Sequence, residues 1–143
     1  MAIGSARDRH KRHMSPKSSA RKFPNRWNLA DLVKDPVNQF DSYAGDLETK
    51  VSRFESSRSR LGPTMASEEF RQQLSLGEEI AALSSRLGAY AYLWFSENTK
   101  NLQSRSFKTK VEERLTALSN RLLFFDLWWQ GVDPDNARRL MTG

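Results

Sequence analysis

Apolar residues recur every three or four positions over three long stretches of this chain. The first stretch covers residues 40–54, the second runs from Phe70 to Trp94, and the third runs from Phe107 to Trp129. This spacing collects the apolar side chains on one face of an α-helix, whereas a half-buried strand alternates apolar and polar residues. No window of the sequence sustains that alternation. The chain is therefore predicted to fold as long amphipathic helices.

Turn and capping residues divide the predicted helices. Asp35-Pro36 predicts the start of the first helix, with Asp as the cap and Pro in the first turn, and Leu61-Gly62-Pro63 predicts its end. The second helix is expected over about residues 67–96, and the third is expected to end near Gly131. Asp133-Pro134 predicts the start of a fourth. Since short connections make neighbouring helices antiparallel, we expect an all-α fold, an antiparallel up-down bundle of three long helices plus a partial fourth.

The positive charge of the chain is concentrated at its N-terminus. Residues 1–26 hold eight Lys or Arg and one acid, a net charge of +7, while the whole chain carries +6. A segment with so few large apolar residues cannot offset its ordering entropy by burial. We therefore expect residues 1–25 to form a disordered basic tail and residues 26–143 to form one helical domain. No apolar run is long enough to cross a membrane and no secretory signal is visible, so no membrane contact and a cytoplasmic location are expected.

The inward stripes of the second and third helices predict the core. Its expected members are Phe70, Leu74, Leu87, Trp94, Val111, Leu115, Leu118, Leu122, Phe125 and Trp129. A short apolar cluster from Trp27 to Val33 is expected to pack along the bundle as an extended or single-turn segment.

The apolar pattern is wider than one stripe at two helix ends. Phe124 and Trp128 lie on a second face of the third helix, and Tyr92 and Phe95 lie beside the stripe of the second. A helix that is apolar on most sides is normally buried on more than one side. Either the fourth helix and the Trp27 segment cover these faces, or a larger body packs there and the isolated chain exposes an apolar patch. The four aromatic residues are therefore the candidate interface.

The sequence contains no recognisable catalytic or metal site. Its only histidines, His10 and His13, lie in the basic tail, and it has no cysteine. The neighbouring glutamates Glu78-Glu79 and Glu112-Glu113 point about 100° apart on a helix, so they are expected on solvated faces rather than as an acid/base pair. Asp126, inside the aromatic run, is expected to form a structural salt bridge with Arg121 or another arginine. No catalytic residue, metal ligand or cofactor is predicted for this chain, and it is not expected to be an enzyme by itself.

Three segments, in order along the chain, resemble one peptidase family. Residues 26–32, Arg-Trp-Asn-Leu-Ala-Asp-Leu, are similar to the Trp-Asp/Asn-Leu-x-Asp-Leu opening of the oligoendopeptidase F family of zinc metallopeptidases. Residues 87–101 resemble that family's Tyr-x-x-Leu … Asp-Thr-x-Asn helix end, and residues 115–127 resemble its Phe-Phe-Glu/Asp-Leu helix. The family often has Glu where this chain has Trp128, so no role of that acid transfers.

The resemblance implies a non-catalytic part of such an enzyme. It covers about residues 26–141, which correspond to the N-terminal helical region that packs on the catalytic domain and restricts access to its cleft. The His-Glu-x-x-His motif and its zinc would then lie in a catalytic domain beyond Gly143, and that domain would be the partner of this one.

Two other functions remain open from the residues themselves. The helical stripes are also compatible with a stand-alone interaction or dimerisation module that self-associates through the aromatic patch. The basic tail is compatible with nucleic-acid binding through phosphate contacts. Nucleic-acid binding is the less favoured, because the tail lacks interleaved aromatic residues for base stacking and the remaining residues are close to neutral.

Overall fold

A computed structural model describes residues 28–142 as an all-helical bundle. The four α-helices are α1 (Phe40–Glu55), α2 (Ser67–Glu97), α3 (Leu102–Gln130) and α4 (Pro134–Thr142), with 3₁₀ turns at Leu29–Asp31 and Arg58–Arg60. No strand occurs between residues 28 and 142. The predicted fold class is thereby confirmed. The basic tail, both histidines and Trp27 lie outside the described residues.

The helices α2 and α3 form a long antiparallel hairpin. At one end, the rings of Phe70 and Trp129 stack with centroids 5.0 Å apart, and at the other Tyr90 meets Phe107 edge-on at 6.0 Å. The start of α2 therefore lies beside the end of α3. A short connection, residues 98–101, joins the two helices. At its end the side chain of Asn101 caps α3, accepting hydrogen bonds from the backbone N–H groups of Gln103 and Ser104.

The helix α1 packs against both members of this hairpin and runs parallel to α3. Its first residue, Phe40, meets Phe107 at a centroid distance of 5.8 Å, and Phe54 near its end meets Phe125 at 5.2 Å. Leu47, Val51 and Val111 are completely buried between these contacts. The core is thus a column of aliphatic side chains closed at each end by aromatic rings.

The short helix α4 folds back onto the start of α2. Leu140 is buried in the core cluster, and the Arg139 guanidinium donates hydrogen bonds to the backbone carbonyls of Pro63 and Met65, both at 2.9 Å. The hydroxyl of Ser67 donates in return to the Arg139 carbonyl at 3.0 Å. We refer to this end of the bundle as the α4 end.

The predicted limits of α1 are wrong at both ends. The helix begins at Phe40 rather than at Asp35-Pro36, because Asp35 does not adopt the extended backbone of a helix N-cap. Asp35 instead adopts a φ of 44°, and its carboxylate accepts a hydrogen bond from the Asn38 amide. The helix ends at Glu55 rather than near Leu61. At this end the Phe54 carbonyl accepts a hydrogen bond from the N–H of Ser57, which lies outside the helix.

Candidate functional site

Every residue predicted for the core lies in the core cluster or against it. Phe70, Leu87, Val111, Leu118 and Phe125 are buried. Leu74, Trp94, Leu115, Leu122 and Trp129 are partly buried and pack on the cluster. Two members of the second group, Leu74 and Leu122, line a groove between α2 and α3.

Phe124 and Trp128 of the candidate interface pack largely inward. Phe124 lies edge-on to Phe54 with centroids 5.9 Å apart, and the Arg58 guanidinium covers its ring at 5.3 Å. Trp128 lies 5.5 Å from Phe125. Both side chains are half-buried and belong to the packing between α1, α2 and α3.

Tyr92 and Phe95 lie near the opposite end of the bundle. Tyr92 is 60% exposed, whereas Phe95 is half-buried with the Lys108 ammonium 5.6 Å above its ring. The structure therefore does not bring the four candidate residues together. They form two separate sites, one at each end of the α2–α3 hairpin.

The most exposed apolar residues on the last turns of α3 are two leucines that were not among the candidates. Leu123 is 50% exposed and Leu127 is 68% exposed, and their spacing of four places them one helical turn apart. We call them the leucine pair. The signal was present in the sequence, because a helix segment that is apolar all round must expose some residues once its core face is fixed.

A cavity of about 350 Å³ adjoins the leucine pair at the α4 end. Its lining is mainly apolar and comes from three parts of the chain: Gly62, Pro63, Leu127, Trp128, Gly131, Val132, Asp133, Asn136 and Leu140. The leucine pair and this cavity together form a continuous apolar surface that α4 borders but does not cover.

A second opening, the α2–α3 groove, has a volume of about 330 Å³. It is lined by Phe54, Gln73, Leu74, Gly77, Glu78, Ala81, Leu122, Phe125 and Asp126. A Cβ atom at position 77 would lie 3.2 Å from Cε2 of Phe54, so the absence of a side chain at Gly77 lets that ring pack closely against α2 at the floor of the groove. Glu78 on α2 and Asp126 on α3 stand at the rims and are exposed.

The expected salt bridge between Asp126 and Arg121 does not form. Arg121 faces α1 instead, where its guanidinium donates to the carboxylates of Glu48 and Glu55 and to the hydroxyl of Ser52. These hydrogen bonds lower the pKa of both glutamates and raise that of Arg121. Positions 121 and 126 are five residues apart and therefore lie on different sides of α3, so the Asp126 carboxylate does not reach Arg121.

One glutamate of each adjacent pair is the partner of a lysine. Glu79 accepts a hydrogen bond from Lys50 at 2.7 Å, which lowers the pKa of the carboxyl group, and Glu112 pairs with Lys108 at 2.5 Å. Glu68, in a polar cavity between α1 and α2, accepts from Arg71, and its pKa is lowered as well. With their pKa lowered, Glu68 and Glu79 are ionised at neutral pH, the state suited to pairing rather than to proton donation.

Two negative findings apply to the described part of the chain. Within residues 28–142 no three His, Asp or Glu side chains lie close enough together to hold a metal ion. Over the same range, no helix combines the length and the apolar character needed to cross a membrane.

Comparison with known proteins adds no relative. No protein-family model matches the chain, and no curated protein or solved structure matches it. The resemblance to the oligoendopeptidase F family therefore rests on the three sequence segments alone.

Proposed function

We propose that this chain is a non-catalytic helical domain that docks on a larger protein body through the leucine pair and the adjoining cavity. In the form that the sequence resemblance implies, the larger body is the peptide-cleaving domain of an oligoendopeptidase F-like zinc metallopeptidase. The helical domain would then restrict access to the cleft of the enzyme.

One observation carries this proposal. Leu123 and Leu127 are 50% and 68% exposed, side by side, next to an apolar cavity. Isolated exposed leucines are ordinary, but a contiguous apolar surface beside a cavity is typical of an interaction site. The apolar residue of α4 that is buried, Leu140, packs in the core, and α4 leaves both leucines exposed.

The test replaces both leucines with serine. We expect the wild-type chain to bind the hydrophobic dye ANS, and the Leu123→Ser/Leu127→Ser variant to bind several-fold less with an unchanged unfolding midpoint. Leu102→Ser is the matched control, because Leu102 is 75% exposed but lies at the other end of α3. Equal dye fluorescence from the wild type and the double variant would show that the leucine pair is not an apolar docking surface.

The identity of the larger body is tested separately. The reading frame downstream of Gly143 should encode a His-Glu-x-x-His region, and that region, produced as a separate chain, should bind the wild type and not the double variant in titration calorimetry. A downstream frame without such a motif would contradict the peptidase form. Light scattering adds a further outcome, since a mass that rises with concentration only in the wild type would indicate a dimerisation module instead.

A further inference from the structure

The α2–α3 groove is suited to a single large apolar side chain. Its floor is the Phe54 ring, which is 4% exposed and packs directly against Gly77, and Leu122 and Phe125 form the α3 wall. Gly77 and Ala81 are small and lie one turn apart on the α2 wall, so an incoming backbone can approach closely.

The charges around the groove all have the same sign. Glu78 stands on the α2 rim and Asp126 on the α3 rim, and the lining found among the described residues includes no Lys or Arg. Neither carboxylate has a hydrogen-bond or ion-pair partner within residues 28–142. The other acidic side chains that span helix pairs, such as Glu48, Glu55 and Glu79, are paired with cations. The groove therefore presents one unpaired negative charge on each side of an apolar floor.

A second copy of the same groove is a poor occupant. If two α2–α3 faces met across a twofold axis, each pair of rim carboxylates would face the carboxylates of the other copy, and such like-charge contacts cost free energy. A partner surface with positive charges on both sides of an apolar residue can pair with both rim carboxylates while its apolar residue packs on the floor of the groove.

We propose that the α2–α3 groove binds an apolar side chain flanked by Lys or Arg on the surface of a partner protein. This inference rests on the proposed function, because it assigns a second contact to the docking of a larger body. The apolar side chain occupies the opening over Phe54, while the flanking cations pair with Glu78 and Asp126.

The test uses two synthetic amphipathic helical peptides with the same apolar face and one central Phe. The first carries Lys on both sides of the Phe, and the second carries Glu at the same positions. Fluorescence anisotropy with the full chain should give the Lys peptide an affinity about tenfold higher, because two exposed charge pairs change from attraction to repulsion. The charge-reversed variant Glu78→Lys/Asp126→Lys should invert that preference.

Blocking the groove supplies the matched control. Ala81 and Ala117 are both exposed alanines that line grooves, Ala81 between α2 and α3 and Ala117 between α1 and α3. Ala81→Phe should reduce binding of the Lys peptide several-fold, and Ala117→Phe should leave it unchanged. Equal effects of the two substitutions, or equal affinities of the two peptides, would overturn the proposal.

The leucine-pair variant separates this inference from the proposed function. If Leu123→Ser/Leu127→Ser abolishes ANS binding while the Lys peptide binds no better than the Glu peptide, the docking surface stands and the groove assignment fails. If the Lys peptide prefers the wild-type groove and ANS binding is unaffected by the leucine substitutions, the groove assignment stands and the proposed docking surface fails.

Discussion

Arg121 connects α3 to three residues of α1. Its guanidinium joins Glu48, Ser52 and Glu55, which follow one face of α1 at spacings of four and three. Arg114, two helical turns before it, donates a further hydrogen bond to Glu48 at 3.1 Å. These side chains are about one-third exposed, so water and salt screen the pairs. The network fixes the rotation of α3 against α1 more than it adds to stability.

The network makes stability depend on pH. Hydrogen bonds from Arg121 lower the pKa of Glu48 and Glu55 below the ordinary value of 4.5, so the folded state binds fewer protons than the unfolded state. Their contribution is therefore present above pH 4.5 and is lost as the pH falls through the lowered pKa. We expect Glu48→Gln/Glu55→Gln to be less stable than the wild type at pH 7 and equally stable near pH 2, as measured by urea unfolding at low salt.

A control on the solvated face accompanies this measurement. Glu112→Gln/Glu113→Gln removes two carboxylates from α3 without touching Arg121, and it should change the pH dependence much less. If the stability difference between the wild type and Glu48→Gln/Glu55→Gln persists unchanged at pH 2, the pH dependence does not come from Glu48 and Glu55.

The residues of the candidate site were only partly predictable. The excess of apolar side chains near the end of α3 was visible in the sequence, but helical spacing alone did not decide which residues face outward. Phe124 is drawn inward by Phe54, and the leucine pair is left exposed. Likewise, nothing near Gly77 in sequence predicts a groove, because its floor is supplied by Phe54 from another helix.

At the level of elements, α4 contributes one buried side chain to the core, that of Leu140. Leu140 is 1% exposed, whereas the adjacent Met141 is 63% exposed. Leu140→Ala should lower the free energy of unfolding by about 2–5 kcal/mol, through lost burial and the cavity left behind. Met141→Ala, the neighbouring control, should have almost no effect. Urea denaturation followed by circular dichroism measures both, and similar losses from the two variants would show that α4 packs differently.

The sequence located α2, the end of α3 and the start of α4 closely because their signals are local. Periodic apolar residues and the start signal at Asp133-Pro134, where the Asp133 carboxylate caps α4, define them without reference to the rest of the fold. The end of α1 is set differently. The Phe54 carbonyl accepts hydrogen bonds from the Ser57 hydroxyl at 2.7 Å and from the Gln73 amide of α2 at 2.9 Å, a combination that only the tertiary structure brings together.

For the whole molecule, the described core is formed by residues well beyond the basic tail. The cluster members run from Val33 to Leu140. Deletion of residues 1–25 should therefore leave the helical content and the unfolding midpoint unchanged in a thermal melt. A large drop in the midpoint would contradict the division into tail and helical domain.

The same deletion addresses the nucleic-acid alternative. Binding of the wild-type chain to a DNA duplex at low salt should be weak, and it should disappear in the deletion variant, since seven of the eight Lys and Arg residues of positions 1–26 lie in the deleted segment. DNA binding that survives the deletion would place a nucleic-acid surface on the helical bundle and count against protein docking.

The hydrogen bonds that close the α4 end have a consequence for how such a chain can change during evolution. Arg139 and Gln73 both donate to backbone carbonyls, those of Pro63, Met65 and Phe54. Every amino acid offers the same carbonyl, so substitutions in the accepting segments leave these bonds intact. We expect relatives to keep the two donors while the side chains opposite them drift independently. Correlated substitutions, which reveal contacts between pairs of side chains, would consequently miss the interactions that hold this end of the bundle together.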